Sequence, residues 1–176
     1  MLAVLWLRKM IEKIIHKDSF FINQYQGDEN QIQKHIEHIL TFDKGRNFSN
    51  QGGYQSNDIT FGFHDLIKFA IESLSLIGEN MRLSNFWINI NHGNHYNSTH
   101  IHDLRDWSAV YYHKVCCEQS TLNFTNLVPT VIQNEYKYPP KEKDMVFFKS
   151  IQPHSVSACH GQDHERISIA FNFAKL

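Results

Sequence analysis

From Leu83 to Phe173 the chain runs as a series of short segments with the two-residue alternation of β-strands. No other feature limits the fold as much. The segments are 86–91, 107–113, 121–124, 130–133, 145–148 and 166–173, separated by Gly, Pro, Asn, Ser and charged residues. Several short strands at this spacing predict an antiparallel sandwich or barrel. The earlier part reads differently. Residues 28–40 predict a helix with Ile32, Ile36, Ile39 and Leu40 on one face. Residues 65–76 predict another, burying Leu66, Ile67, Ala70, Ile71 and Leu74 and ending at Gly78. Over 1–17, Leu2, Leu5, Trp6, Met10, Ile11, Ile14 and Ile15 fall near helical spacing, and a strand at 3–7 leading into a helix fits equally well. Between 43 and 57 lies a Gly-, Asn- and Ser-rich stretch. Its Gly52-Gly53 pair lacks the strand–helix context of a phosphate loop, so it reads as a flexible element that closes over a pocket.

A length of 176 residues suits one domain with a substantial core. The expectation is a single domain over 1–176, mainly β with N-terminal helices (α+β). Residues 1–82 form mostly helical support and loop, and residues 83–176 the β core. The 17 Lys and Arg nearly balance the 18 Asp and Glu, which argues against a generally basic nucleic-acid binder. Cys116, Cys117 and Cys159 are odd in number, include an adjacent pair and form no CxxC, so they read as incidental thiols in a reducing compartment. The apolar start at 1–7 is followed rather than preceded by charge and is too short to span a bilayer. The expected location is therefore cytoplasmic, with no membrane partner.

Histidine is over-represented, with 12 residues, eight of them in the second half of the chain. It is the commonest metal ligand. In a strand, residues i and i+2 share a face, so His100 and His102 of Tyr96-Asn-Ser-Thr-His-Ile-His-Asp103 can both point into the barrel. His154 follows Pro153 beyond the 145–148 strand. Twelve residues later, Arg166, Ser168 and Ala170 share one face of a strand whose other face is Ile167, Ile169 and Phe171. Three histidines on one face of an octahedral ion leave three positions open for chemistry, and an arginine grips a carboxylate through its planar fork. His92, His95, His160 and His164 read as exposed loop residues, and His113 and Tyr111 as facing away from Tyr112. Asn89 and Asn91 either line the pocket or satisfy loop backbone.

The ordered set Trp87, Asn89, Gly93, Asn97, His100, His102, Trp107-Ser108, Val110-Tyr111-Tyr112, Pro153-His154-Ser155-Val156 and Glu165 to Asn172 resembles the 2-oxoglutarate/Fe(II) oxygenases common in marine phages and bacteria. The resemblance covers roughly 49–174. It implies a double-stranded β-helix, the jelly-roll or cupin-like fold of the prolyl hydroxylases, packed against helices. It also implies Fe(II), 2-oxoglutarate and dioxygen, with iron held by the HxH region and His154. The 2-oxoglutarate distal carboxylate would meet Arg166, aided by Ser168 and Tyr112. The implied reaction hydroxylates a C–H bond of a small molecule or peptide, with release of succinate and CO2. The wider superfamily uses His-x-Asp/Glu where this chain has His100-Ile-His102, and Asp103 stands next in line. Either His100, His102 and His154 form the site, or a bulge lets Asp103 replace one of the first two. Two other functions fit: a cupin-like metal protein without 2-oxoglutarate (a three-histidine dioxygenase or isomerase), and a non-catalytic jelly-roll binding module. Arg166 pointing at the metal separates the first from the second, and convergence of the three histidines separates both from the third.

Overall fold

Every interior residue of the strand Glu165–Lys175 but one is buried, although its side chains alternate between two unlike environments. Ile167, Ile169, Phe171 and Phe173 join a core shared with two helices, while Arg166, Ser168, Ala170 and Asn172 turn to the opposite side. A sheet covered on both faces requires such a strand. The computed structural model describes residues 10–15, 18–115, 117–125, 135–161 and 164–176. In chain order the elements are β1 (Ile11–Ile15), β2 (Asp18–Gln24), α1 (Glu29–Leu40), β3 (Asn50–Gln51), β4 (Tyr54–Gln55), α2 (His64–Leu76), β5 (Met81–His92), β6 (Tyr96–His100), β7 (Trp107–Lys114), β8 (Leu122–Thr125), β9 (Glu135–Tyr138), β10 (Asp144–Lys149), β11 (His154–Val156) and β12 (Glu165–Lys175).

They form a seven-stranded sheet, β1-β2-β10-β7-β12-β5-β4, and a five-stranded sheet, β3-β6-β11-β8-β9, with every pairing antiparallel. One face of the large sheet carries α1 and α2. Ile32, Ile36 and Ile39 of α1 and Leu66, Phe69, Ala70 and Leu74 of α2 pack on Ile88, Ala109, Tyr111, Phe147 and Ile169. Asp28 caps α1 by accepting from the Asn30 and Gln31 amides (2.9 and 3.2 Å), which satisfies two otherwise unpaired donors. Tyr111 and His113 hold α1 to β7. The Tyr111 hydroxyl donates to Glu29 at 2.6 Å, and the two His113 ring nitrogens meet Glu29 and Gln33 at 3.0 and 2.8 Å. The other face meets the small sheet through Phe20, Ile22, Tyr112, Leu122, Phe124, Val146 and Phe148. This is the mainly β, jelly-roll architecture with helices on one side.

Several expectations are corrected. Within the stretch 1–17 that reads as helix, Ile11–Ile15 is a strand, paired antiparallel with Asp18–Gln24, because β2 pairs with β10 and extends the large sheet. Residues 1–82 therefore contribute sheet as well as helical support. Residues 1–9 and the expected strand at 130–133 lie outside the described residues. Leu40 is exposed, and Ile67 and Ile71 are only partly buried, being turned toward the rims of their helices. The Gly52-Gly53 stretch is not a free flap. Both glycines have positive φ, and the turn joins β3, paired to β6, with β4, paired to β5. A Cβ on Gly53 would come within 2.6 Å of the Ile90 carbonyl oxygen, so only glycine permits this close approach. Cys117 and Cys159 are joined as a disulfide, since the segments before β8 and after β11 lie side by side.

Candidate metal centre

Antiparallel register brings the first two histidines together. His154, at the start of β11, lies directly opposite His100, at the end of β6. His102 lies beyond the end of β6, so pleat alternation does not aim it. Its amide instead bonds the Ser150 carbonyl at 2.9 Å, which turns the chain so that its ring joins the other two. Each histidine contributes one ring nitrogen to a group whose members lie within 4.8 Å of one another.

The outward nitrogens are all engaged. The His100 Nδ1 bonds the Ser98 carbonyl at 2.8 Å, and the His154 Nδ1 bonds the Gln152 carbonyl at 2.9 Å. The His102 Nδ1 bonds Asn172 Oδ1 at 2.6 Å and lies 2.9 Å from Ser108 Oγ, whose hydroxyl donates to the same Asn172 oxygen at 2.9 Å. A carbonyl oxygen can only accept, so each Nδ1 carries the proton and each Nε2 keeps its lone pair for a cation. Burial depresses all three basicities. His102 falls to about 4 and His154 lies well below the ordinary value; His100 is also lowered. The site is thus three neutral imidazoles, a donor set that suits iron and its neighbours. Phe148 packs on the His154 ring (centroids 4.6 Å apart) and Trp87 on His102 (5.5 Å). Asp103 stands apart, exposed in a turn at the rim of the outer pocket, and the clustered group does not include it.

Behind the histidines is an inner cavity bounded by Arg166, Tyr112, Ser168, Asn89 and Leu122. Arg166 is 2% exposed and donates to Ser120 Oγ at 2.6 Å. The Tyr112 hydroxyl and Asn89 Oδ1 are buried with no hydrogen-bond partner among the described residues. Burial raises the Tyr112 pKa, so its hydroxyl remains a donor. Orphaned polar atoms buried near a guanidinium are costly unless a polar guest pairs with them. A dicarboxylate with one end on the metal and the other on Arg166 fits that requirement. On the other side of the histidines opens a pocket of about 550 Å³, bounded by Arg46, Phe48, Asp58, Trp87, Arg105 and Asn172.

The residues expected at the site are brought together. His92 and His160 are exposed and Tyr111 and His113 face α1, as expected, whereas His95 and His164 are half-buried rather than exposed, His95 because its Nδ1 accepts the His92 amide at 3.1 Å. Asn89 lines the cavity, whereas Asn91 bonds Asn97. Sequence reasoning missed Ser120, Ser98 and Gln152, which act through loop positions or backbone carbonyls and leave no side-chain pattern. Asn172 was legible as the next inward position after Arg166, Ser168 and Ala170.

Comparison with known proteins agrees with this geometry. The family profile described as "Putative 2OG-Fe(II) oxygenase" matches residues 85–172. No curated protein matches the chain in sequence. Among solved structures, the viral collagen prolyl hydroxylase of Paramecium bursaria Chlorella virus-1, in complex with 2OG, is 16% identical with a TM-score of 0.62, over 89% of this chain and 96% of that one. A Pseudomonas putida prolyl-4-hydroxylase is 12% identical with a TM-score of 0.61, over 91% and 94%. HygX from Streptomyces hygroscopicus, with nickel and 2-oxoglutarate bound, is 9% identical with a TM-score of 0.65, over 89% and 82%. At these identities the structures establish a shared fold.

Proposed function

Because the chain belongs to the 2-oxoglutarate/Fe(II) oxygenase family, we propose that His100, His102 and His154 hold its iron, and that Arg166, Tyr112 and Ser168 anchor its cosubstrate. The protein is a 2-oxoglutarate- and Fe(II)-dependent dioxygenase. The observation that carries the residue assignment is the convergence of three histidines whose Nδ1 atoms are all engaged elsewhere, on the wall of a cavity that also contains a buried arginine. When bound, iron and 2-oxoglutarate supply the oxidation, coupling decarboxylation to succinate and CO2 with hydroxylation of a C–H bond.

The chain's own part is positioning. Ser98, Gln152 and Asn172 hold the three rings by their Nδ1–H groups, which leaves the ring orientation little freedom. Arg166 pairs with the distal carboxylate, and the Tyr112 hydroxyl donates its unused proton to that carboxylate. Leu122, Val110 and Val156 keep the inner cavity apolar around the cosubstrate's methylene groups. The outer pocket, which shares His100 and His102 with the inner cavity, receives the prime substrate. Its size suits a small molecule or a short peptide segment. Among the described residues no helix is long and apolar enough to cross a membrane.

Anaerobic addition of Fe(II) and then 2-oxoglutarate tests the assignment. Wild-type protein should develop the visible metal-to-ligand charge-transfer band of the chelate, and His154→Ala should not. Folded, iron-bound wild-type protein without the band would overturn it.

A further inference from the structure

A second group of metal-ligating side chains lies away from the iron centre, where the chain enters β8 and leaves β11. Cys117, Cys159 and His164 bring two sulfurs and one ring nitrogen within 4.8 Å of one another. The sulfurs are joined as a disulfide across 42 residues of chain, with Cα atoms 6.5 Å apart. A disulfide needs no third group, yet the half-buried imidazole of His164 lies against it and has no hydrogen-bond partner among the described residues.

The backbone is shaped to admit that ring. Gly161 has φ +139°, and a Cβ there would come within 2.3 Å of the His164 ring. Gly93 fixes both neighbours, since its carbonyl accepts from the Cys159 amide at 3.1 Å and its amide donates to the His164 carbonyl at 3.0 Å. The Cys117 side is held independently: its carbonyl accepts from the Ser120 amide at 3.3 Å, and the Ser157 amide donates to the Thr121 carbonyl at 3.0 Å. These bonds keep the two sulfurs as neighbours without the covalent link.

We propose that, once reduced, Cys117, Cys159 and His164 form a binding site for a zinc-like divalent cation, separate from the iron centre. Two thiolates and an imidazole make a soft tetrahedral set with one position left for water, unlike the all-imidazole iron site. In forming it, a dithiol reductant passes two electrons to the disulfide and becomes a disulfide itself. The two thiols then lose their protons to solvent as the cation binds. The cation would replace the covalent cross-link between the segments that carry Cys117 and Cys159. The first of these segments also carries Ser120, the partner of Arg166. Either cross-link therefore keeps the wall of the cosubstrate cavity in place. The proposal does not depend on what the iron centre does.

Cobalt(II) tests it, because a thiolate–cobalt bond gives a near-ultraviolet charge-transfer band that an all-histidine site does not. The whole protein would be reduced anaerobically with a water-soluble phosphine, which becomes the phosphine oxide by taking oxygen from water. It would then be titrated with Co(II). The expected band appears in the wild-type protein, saturates at one equivalent per chain in His100→Ala/His154→Ala, where the iron centre no longer competes for cobalt, and is lost in Cys159→Ser. In His164→Ala, which leaves both sulfurs intact, the affinity read from the band should fall roughly tenfold or more. Three results would overturn the proposal: reduced wild-type protein without the band, a band unaffected by His164→Ala, or a disulfide that stays intact in the folded protein under the reductant.

Discussion

His100 and His154 face each other across the β6–β11 pair, with ring centroids 4.3 Å apart. Both are strand-end residues on a rigid ladder, whereas His102 is held by side chains and a loop carbonyl. The three ligands should therefore differ in their dependence on their surroundings. Asn172→Ala removes the His102 Nδ1 acceptor and should weaken iron binding about 10- to 100-fold with the fold intact. Iron affinity measured by competition with a chelator checks this. An unchanged affinity would mean that His102 is not oriented through Asn172.

Arg166→Ala should raise the 2-oxoglutarate Kd by roughly 30-fold or more, the order expected from about 2 kcal/mol for a buried charged pair losing one partner. Iron affinity should be largely preserved, because the hydrogen bonds that orient the three histidines come from Ser98, Gln152 and Asn172 rather than from Arg166. Separate titrations of the metal and of 2-oxoglutarate decide the point, and parallel loss of both would argue against the assigned role.

Tyr112→Phe should act in opposite directions on two measurements. The hydroxyl is buried without a hydrogen-bond partner among the described residues, so its removal should leave stability unchanged or raise it by up to ~1 kcal/mol. With cosubstrate bound, the same change deletes a donor to the carboxylate and should weaken 2-oxoglutarate about 5- to 10-fold. Chemical unfolding of the metal-free protein and a binding titration read the two effects. A destabilised variant with unchanged affinity would show a purely structural hydroxyl.

Metal-free protein should lose stability as pH falls below about 6.5. The folded chain holds His102 down to about 4, with His100 and His154 also lowered, so the unfolded chain binds more protons through that window. The stabilisation is complete above the unfolded value near 6.5 and is lost progressively as pH drops through the folded one. For His102 alone, the acid limit is on the order of 3 kcal/mol. Urea unfolding between pH 7.5 and 4 should show the slope, and His102→Gln should flatten part of it. Equal slopes in both proteins would place the acid sensitivity elsewhere.

Much of this was legible in sequence because strands and helices with one buried face write their period into it. β12 is the clearest case. Its inward residues Arg166 and Ser168 and its outward residues Ile167, Ile169 and Phe171 were separable by alternation alone, as were Tyr112 and its outward neighbours Tyr111 and His113. His102 reached the right place for a reason other than the one its spacing suggested, since a loop rather than a strand aims it. β1 misread as helix because Met10, Ile11, Ile14 and Ile15 satisfy a helical period within so short a stretch. Ser120 and the Cys117–Cys159 contact were invisible because loop-to-loop proximity leaves no local period.

β12 follows every other described strand, yet it lies in the middle of the large sheet between β7 and β5. During synthesis the two halves of that sheet must wait, with open edges, until 165–175 emerges to join them. The strand that closes the gap also carries Arg166 and Asn172. Completion of the sheet and arrival of the cosubstrate anchor are thus one event, late and dependent on distant contacts. A nascent chain of this protein has no working site to misuse before it has finished folding.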